Sequence, residues 1–212
     1  MKLFKYMLLS CLLALAGGAL AAAPKLNTVY RLVIPPQPVE TGNKIEVIEF
    51  FYYGCPHCYD LQPYLKNWLS RAPKDVLFRR IAAVFRDSWV PLTKTFYTLE
   101  AVGELDRLHG EVFEAIHVKQ INLNNEQTLL DWMEQHGVDR KKFADSYNSF
   151  SLKNRAEFAK QLTQAYGVEG TPSLVVDGKY LTGPAMTGSH ESAMRVLDQL
   201  IDKARQERSS KR

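Results

Sequence analysis

The chain is poor in cysteine, and this scarcity excludes one class of fold at the outset. Only three cysteines occur in 212 residues, too few for a small scaffold held together by disulfide bonds. The chain has no set of long apolar runs, which excludes a multispan membrane protein, and it has no repeat or low-complexity linker. Its 46% hydrophobic and 24% charged residues are ordinary values for a globular protein. These observations indicate a folded globular chain with a substantial core.

Motifs for several enzyme chemistries are also missing. There is no phosphate-binding glycine loop, and Ser189 lacks the Gly-x-Ser-x-Gly pattern of a nucleophile elbow and better fits a helix cap. Nothing in the sequence calls for a cofactor. Four histidines lack the short spacing of metal ligands, and we expect them to be solvated helix residues: His109, His117, His136 and His190.

Residues 1–23 have the organisation of a secretory signal peptide. Lys2 and Lys5 precede an apolar stretch, which ends in the small residues of 16–23. The mature chain is therefore predicted to begin near residues 22–25. Two alternatives remain: a retained anchor helix, although the apolar run falls short of the roughly 20 residues of a membrane span, and lipidation at Cys11. Cleavage leaves Cys55 and Cys58 in an exported, oxidising compartment.

The net charge of +4 is unevenly distributed and does not indicate a nucleic-acid partner. Two basic residues belong to the signal peptide and five lie in a basic C-terminal segment, about 203–212. The rest of the chain holds 20 basic and 22 acidic residues. We expect the segment to be mobile and solvated.

The order of apolar patterns predicts an α/β fold with a helical insertion. Residues 27–34, 44–53 and 75–84 are typical of strands, and a helix follows Cys55. The stretch from about 90 to 150 is helical in pattern, and further helical, hairpin and helical patterns follow. The nearly continuous apolar run of 44–53 indicates a central strand covered on both faces. We expect residues 24–212 to form one domain.

Cys55-Pro56-His57-Cys58 directly follows the central strand and begins a helix. Zinc binding would need further ligands that the sequence lacks, and a structural disulfide across two residues would restrain little chain entropy. A redox pair has a mechanism, because a cysteine at a helix N-terminus faces free N–H groups, which stabilise its thiolate. Pro56 suits the first helical position, and His57 is predicted to stabilise the Cys55 thiolate further. All three interpretations remain open at this point, with the redox pair favoured.

Residues 49–59 (Glu-Phe-Phe-Tyr-Tyr-Gly-Cys-Pro-His-Cys-Tyr) resemble the active-site segment of the DsbA family of bacterial periplasmic thiol:disulfide oxidoreductases, and Gly170-Thr171-Pro172 resembles the cis-proline loop of the thioredoxin superfamily. The resemblance covers essentially the whole mature chain. It implies a thioredoxin fold with an inserted helical domain and a periplasmic enzyme that introduces disulfides into exported proteins. It further implies reoxidation by a membrane partner of the DsbB type. Only about twenty residues precede the central strand, which favours a monomer over a dimeric isomerase with an N-terminal domain.

The resemblance also implies roles for individual residues. Cys55 and Cys58 would form the redox-active disulfide, and Pro172 would be cis and place the Thr171 backbone beside Cys55 to pair with an extended substrate. Glu49 matches a buried acid beneath the disulfide, which would have a raised pKa and relay a proton for Cys58.

Thr171 departs from the family pattern, because many DsbA proteins have valine before the cis-proline and disulfide isomerases carry threonine. An isomerase or reductant is therefore a second hypothesis. A third hypothesis is a redox-inert binding or chaperone module in which the cysteine pair only staples the fold.

The aromatic residues divide into two groups. Phe50, Phe51, Trp68 and Trp132 are expected in the core. The second group could either pack in the core or line a surface that binds substrate: Tyr52, Tyr53, Trp89 and Tyr180.

Overall fold

The computed structural model describes residues 24–39 and 41–210. The predicted signal peptide and Cys11 lie outside the described residues. Within the described ranges, no helix is both long enough and apolar enough to cross a membrane.

The strands form one mixed sheet in the order β1-β5-β4-β2-β3. They are β1 (Arg31–Leu32), β2 (Ile45–Phe51), β3 (Val76–Ala82), β4 (Ser173–Val176) and β5 (Tyr180–Thr182). β2 pairs parallel with β3 and antiparallel with β4. Every residue of β2 is buried, as its continuous apolar pattern predicts for a strand covered on both faces.

Helices surround the sheet. They are α1 (Pro56–Ser70), α2 (Val90–Val102), α3 (Leu105–His117), α4 (Glu126–Gln135), α5 (Arg140–Tyr147), α6 (Phe150–Ala165), α7 (Pro184–Thr187) and α8 (His190–Ser209). Helices α2–α5 occupy the range in which the sequence predicts an insertion, and α6 leads back to β4. The predicted α/β fold with added helices is therefore confirmed.

The sheet separates two apolar cores. One lies against α1 and α8 and contains Trp68, Leu197 and Leu200; the other lies against the helical block and contains Phe51, Phe96 and Phe113. Phe51 contacts the rings of Phe96 and Phe113 with centroids 5.1 and 5.9 Å apart. β2 contributes to both cores, and Phe50 and Phe51 at its C-terminal end are fully buried. The cysteine motif begins at that end.

The structure confirms some local predictions and corrects others. Asp177 and Gly178 form the tight turn between β4 and β5 with positive φ angles of 54° and 67°, and a Cβ on Gly178 would lie 2.2 Å from the Gln37 carbonyl oxygen. Ser189 caps α8 by accepting from the Ser192 N–H. The strand predicted at 27–34 is reduced to the two residues of β1, because the chain pairs with the sheet only beside β5.

The prediction of a mobile basic C-terminal segment is wrong for residues 203–209. These residues are the last turns of α8, where Ala204 is fully buried. Arg205 pairs with Asp75 at 2.8 Å, and Arg208 pairs with the buried carboxylate of Asp177. The cations are therefore held by acids distant in sequence.

Deletion of residues 203–212 should lower the free energy of unfolding by roughly 2–4 kcal/mol, because Asp177 loses a partner inside the protein. Deletion of residues 211–212 alone is the control and should leave stability unchanged. Urea unfolding of the three proteins measures the difference. Equal midpoints for the two deletions would show that the last turns of α8 contribute nothing.

Candidate functional site

The end of β2 places Cys55 at the start of α1. The chain leaves the sheet through Gly54, where a Cβ would lie 2.5 Å from the Tyr52 ring, so any other residue would have to displace that ring. The Tyr52 ring in turn stacks on Trp89 at a centroid distance of 3.8 Å. Cys55 is the N-cap residue of α1 and Pro56 is the first helical residue. The Cys55 side chain therefore lies beside the backbone N–H groups of the first helical turn, those of His57 and Cys58.

The two cysteines have opposite environments. Cys55 is partly exposed and Cys58 is fully buried one turn into α1; both are free thiols. Hydrogen bonding from the Cys58 thiol is the largest effect that lowers the pKa of Cys55 to about 5, and it outweighs the opposing effect of burial. The Thr171 side chain and the backbone N–H groups of Cys58 and His57 lower this pKa further. Burial raises the pKa of Cys58, as does the adjacent Cys55.

The loop before β4 completes the site. The Thr171–Pro172 peptide bond is cis, and the Cys55 thiol donates to the Thr171 carbonyl oxygen at 3.3 Å. That contact favours the protonated thiol of Cys55. The hydrogen bonds from Cys58, the Thr171 side chain and the His57 backbone favour the thiolate, and together they have the larger effect on the pKa. Because β4 pairs with β2, the loop is brought to the cysteines from a distant part of the chain. Its backbone is further held by Ser173, whose hydroxyl donates to the Gly170 carbonyl at 2.7 Å.

Glu49 lies beneath the cysteines and is fully buried on β2, which excludes a solvent-facing position at the edge of the strand. Arg80 of β3 donates to its Oε2 at 2.8 Å, and Gln62 of α1 donates to its Oε1 at 3.2 Å. The same Gln62 amide donates to the Cys58 carbonyl at 3.0 Å. Burial raises the pKa of Glu49 more than Arg80 and Gln62 lower it.

Sequence reasoning missed Arg80 and Gln62. A signal for Arg80 exists, because Arg79 and Arg80 interrupt an otherwise apolar strand, and the parallel register places Arg80 opposite Glu49. Gln62 lies four residues after Cys58 on α1, so helical spacing alone places it one turn beyond the buried thiol.

His57 is exposed and lines a groove beside the cysteines. This catalytic groove, a cavity of about 740 Å³, is bordered by Thr171, Pro172 and Met186 and reaches His190 at the start of α8. The His57 backbone N–H, rather than its ring, is among the groups that lower the Cys55 pKa. A role for the ring stays a prediction.

Aromatic and histidine side chains pack beneath the turn on the side of α3. Tyr53 is buried, and its hydroxyl lies 2.8 Å from His109 Nδ1, while His117 Nε2 donates to the Tyr53 carbonyl at 2.8 Å. His109 is 8% exposed, so the expectation of a solvated histidine is wrong here. Burial, followed by the nearby Arg80, lowers its pKa.

The substrate-facing alternative is also wrong for Tyr52, Tyr53 and Tyr180, which are all buried. The core positions expected for Phe50, Phe51, Trp68 and Trp132 are confirmed.

Comparison with known proteins agrees with this geometry. Residues 82–195 match the model of the DSBA-like thioredoxin domain. The thiol:disulfide interchange protein DsbA of Burkholderia cepacia is 40% identical over 204 residues, covering 94% of this chain and 95% of the relative. That of Pseudomonas aeruginosa is 39% identical over 203 residues, 94% of this chain and 96% of the relative.

Solved structures show the same likeness. A crystal structure of Pseudomonas aeruginosa DsbA has a TM-score of 0.82 at 39% identity, covering 89% of this chain and 97% of that one. Reduced DsbA1 from Neisseria meningitidis has a TM-score of 0.77 at 30% identity, and the match covers 90% of this chain and 100% of that one. With its buried-strand, Cys-Pro-His-Cys and cis-proline geometry, this chain belongs to the DsbA family of thioredoxin-fold thiol:disulfide oxidoreductases.

Proposed function

We propose that this oxidoreductase introduces disulfide bonds into reduced proteins exported to the periplasm, through a reversible disulfide between Cys55 and Cys58. The oxidising direction is supported by the opposite pKa shifts of the two thiols. A pKa of about 5 for Cys55 stabilises the dithiol state at neutral pH, and a stabilised dithiol state makes the disulfide a stronger oxidant. The same relation is the established explanation of oxidising strength in the DsbA family, and the direction proposed for this chain follows that known case.

The exchange takes place in two balanced steps. A substrate thiolate attacks Cys55 Sγ, the Cys55–Cys58 bond breaks, and Cys58 leaves as a thiolate that takes up a proton. A second substrate thiolate then attacks the substrate sulfur of the mixed disulfide, and Cys55 leaves as a stable thiolate. The substrate loses two electrons and the enzyme gains them. A membrane partner of the DsbB type would return the enzyme to its disulfide form.

The exposure of the two cysteines supports Cys55 as the one that the substrate attacks. Cys55 is partly exposed and Cys58 is buried, so the substrate reaches Cys55. The Thr171 backbone, 3.3 Å from Cys55 Sγ, would pair with an extended substrate next to its cysteine, with Pro172 and Pro56 shaping that surface. We further propose a monomeric enzyme that uses no cofactor or metal and binds no nucleic acid.

Replacement of Cys55 or Cys58 by serine should abolish the oxidation of a reduced, unfolded dithiol protein. The wild-type enzyme should form about one substrate disulfide per enzyme disulfide, measured by loss of free thiols. Normal turnover by either variant would contradict the mechanism. Faster rescue of a scrambled disulfide protein than of a reduced one would instead support an isomerase.

Thiolate absorbance during pH titration should report a Cys55 pKa near 5 in the reduced protein. Cys58→Ala should raise this pKa, because it removes the largest stabilising hydrogen bond, whereas Cys58→Ser keeps a donor and should raise it less. Equal values for the two variants would show that the hydrogen bond does not control the pKa.

The same titration tests His57. His57→Ala should raise the Cys55 pKa by a smaller amount, because the backbone N–H groups remain in place. An unchanged Cys55 pKa and an unchanged redox equilibrium with glutathione would show that the His57 ring has no role in the mechanism.

Glu49→Gln should slow the first exchange step by roughly tenfold or more if the carboxyl donates the proton to Cys58. Because the pKa of Glu49 is raised, the protonated acid persists to higher pH than an ordinary glutamic acid and is lost as pH rises through that value. The rate of the wild-type enzyme should therefore fall as pH rises through the Glu49 pKa, and the Glu49→Gln variant should not show this fall. Glu46→Gln is the matched control, since Glu46 is a buried acid of the same strand that pairs with Arg79 at 2.7 Å. Equal profiles for the two variants would contradict the proton relay.

A further inference from the structure

A second groove lies between α1 and α3 and forms a cavity of about 1030 Å³, larger than the catalytic groove. We call it the α1–α3 groove. Its walls carry Tyr59 and Tyr64 from α1 and Phe113 from α3, and Arg80 and His109 also line it. His190 borders both grooves. The two grooves are therefore neighbours at the start of α8.

The charges around the α1–α3 groove are predominantly negative. Four exposed acids line it: Asp60, Asp106, Glu111 and Glu114. Among its three lysines and arginines, Arg80 and Arg107 are each paired with a glutamate that does not line the groove. Lys66 is the remaining cation of the lining. The excess of acids favours a cationic partner and disfavours phosphate-rich ones such as nucleic acid or an anionic membrane.

The α3 wall of the groove leaves space at Gly110, beside the buried His109. Gly110 lies in the middle of α3, and a Cβ there would meet nothing within 4 Å. A mid-helix glycine costs about 1 kcal/mol relative to alanine, and here it leaves the wall open. His109 is 8% exposed, its Nδ1 contacts Tyr53, and its buried Nε2 has no partner among the described residues. Because this nitrogen is inaccessible from the surface, the contacts open to a bound chain are those of the exposed rings and acids.

We propose that the α1–α3 groove binds a segment of the substrate polypeptide in which a basic residue lies next to an aromatic one, while the substrate cysteine is engaged at Cys55. This inference rests on the proposed function, since it adds a second contact to the same substrate. The aromatic ring would pack against Tyr59 and Tyr64, and the basic groups would face the acids of the rim. The neighbouring positions of the two grooves allow one extended chain to occupy both.

Three reduced two-cysteine peptides test the proposal. One carries Lys-Tyr-Lys, one carries Glu-Tyr-Glu and one carries no addition, each joined through a series of flexible Gly-Ser linkers. At low ionic strength and low peptide concentration, the Lys-Tyr-Lys peptide should be oxidised roughly fivefold faster than the Glu-Tyr-Glu peptide, and added salt should reduce the difference. Equal rates at every linker length would overturn the proposal.

Two variants at Gly110 locate the effect. Gly110→Trp fills the groove and should abolish the preference for Lys-Tyr-Lys without changing the rate for the bare peptide. Gly110→Ala is the matched control and should keep the preference. A preference that survives in a folded Gly110→Trp protein would overturn the assignment to this groove.

Removal of two rim charges by Asp60→Asn together with Asp106→Asn gives a second test that does not depend on a bulky substitution. This variant should reduce the preference, and an unchanged preference would also overturn the proposal. Loss of oxidation for all three peptides by the wild-type enzyme would instead contradict the proposed function. The two failures are therefore distinguishable.

Discussion

The site depends on one constraint, the transition from a fully buried strand to a helix that begins at a cysteine. β2 is held between β3 and β4 and covered on both faces, so its end has neighbours on every side. Gly54 lets the Tyr52 ring lie against the turn, because that ring occupies the space of a side chain at position 54. Cys55 then lies beside the N–H groups of the first helical turn, and Cys58 lies one turn deeper. The contrast between the two thiols follows from that geometry.

A second layer of polar contacts links the thiols to the interior of the sheet. Gln62 donates to both the Cys58 carbonyl and Glu49, and Arg80 holds the other oxygen of Glu49. A buried carboxyl would be costly without such partners. The pair of donors therefore keeps an acid within the core near Cys58, while burial keeps its pKa raised.

Local patterns in the sequence predicted the central strand, the cysteine at the helix start and the hairpin turn at Asp177, because each depends on neighbours along the chain. The partners of Glu49 depend on strand register and on the packing of α1 against β2, which composition does not reveal. The burial of His109 could not be predicted for the same reason, since its helix is amphipathic and only the fold shows that this position faces the core. The order of the basic C-terminal segment could not be predicted, because its acidic partners, Asp75 and Asp177, lie far away in sequence.

The contact between Cys55 and Thr171 joins residues 116 positions apart. During synthesis from the N-terminus, the cysteine motif is made long before the loop that completes its site. Until β4 pairs with β2, Cys55 has the groups at the start of α1 beside it but lacks the contact with Thr171. The part of the site that would meet a substrate backbone is therefore the last part to form, after most of the chain has been made.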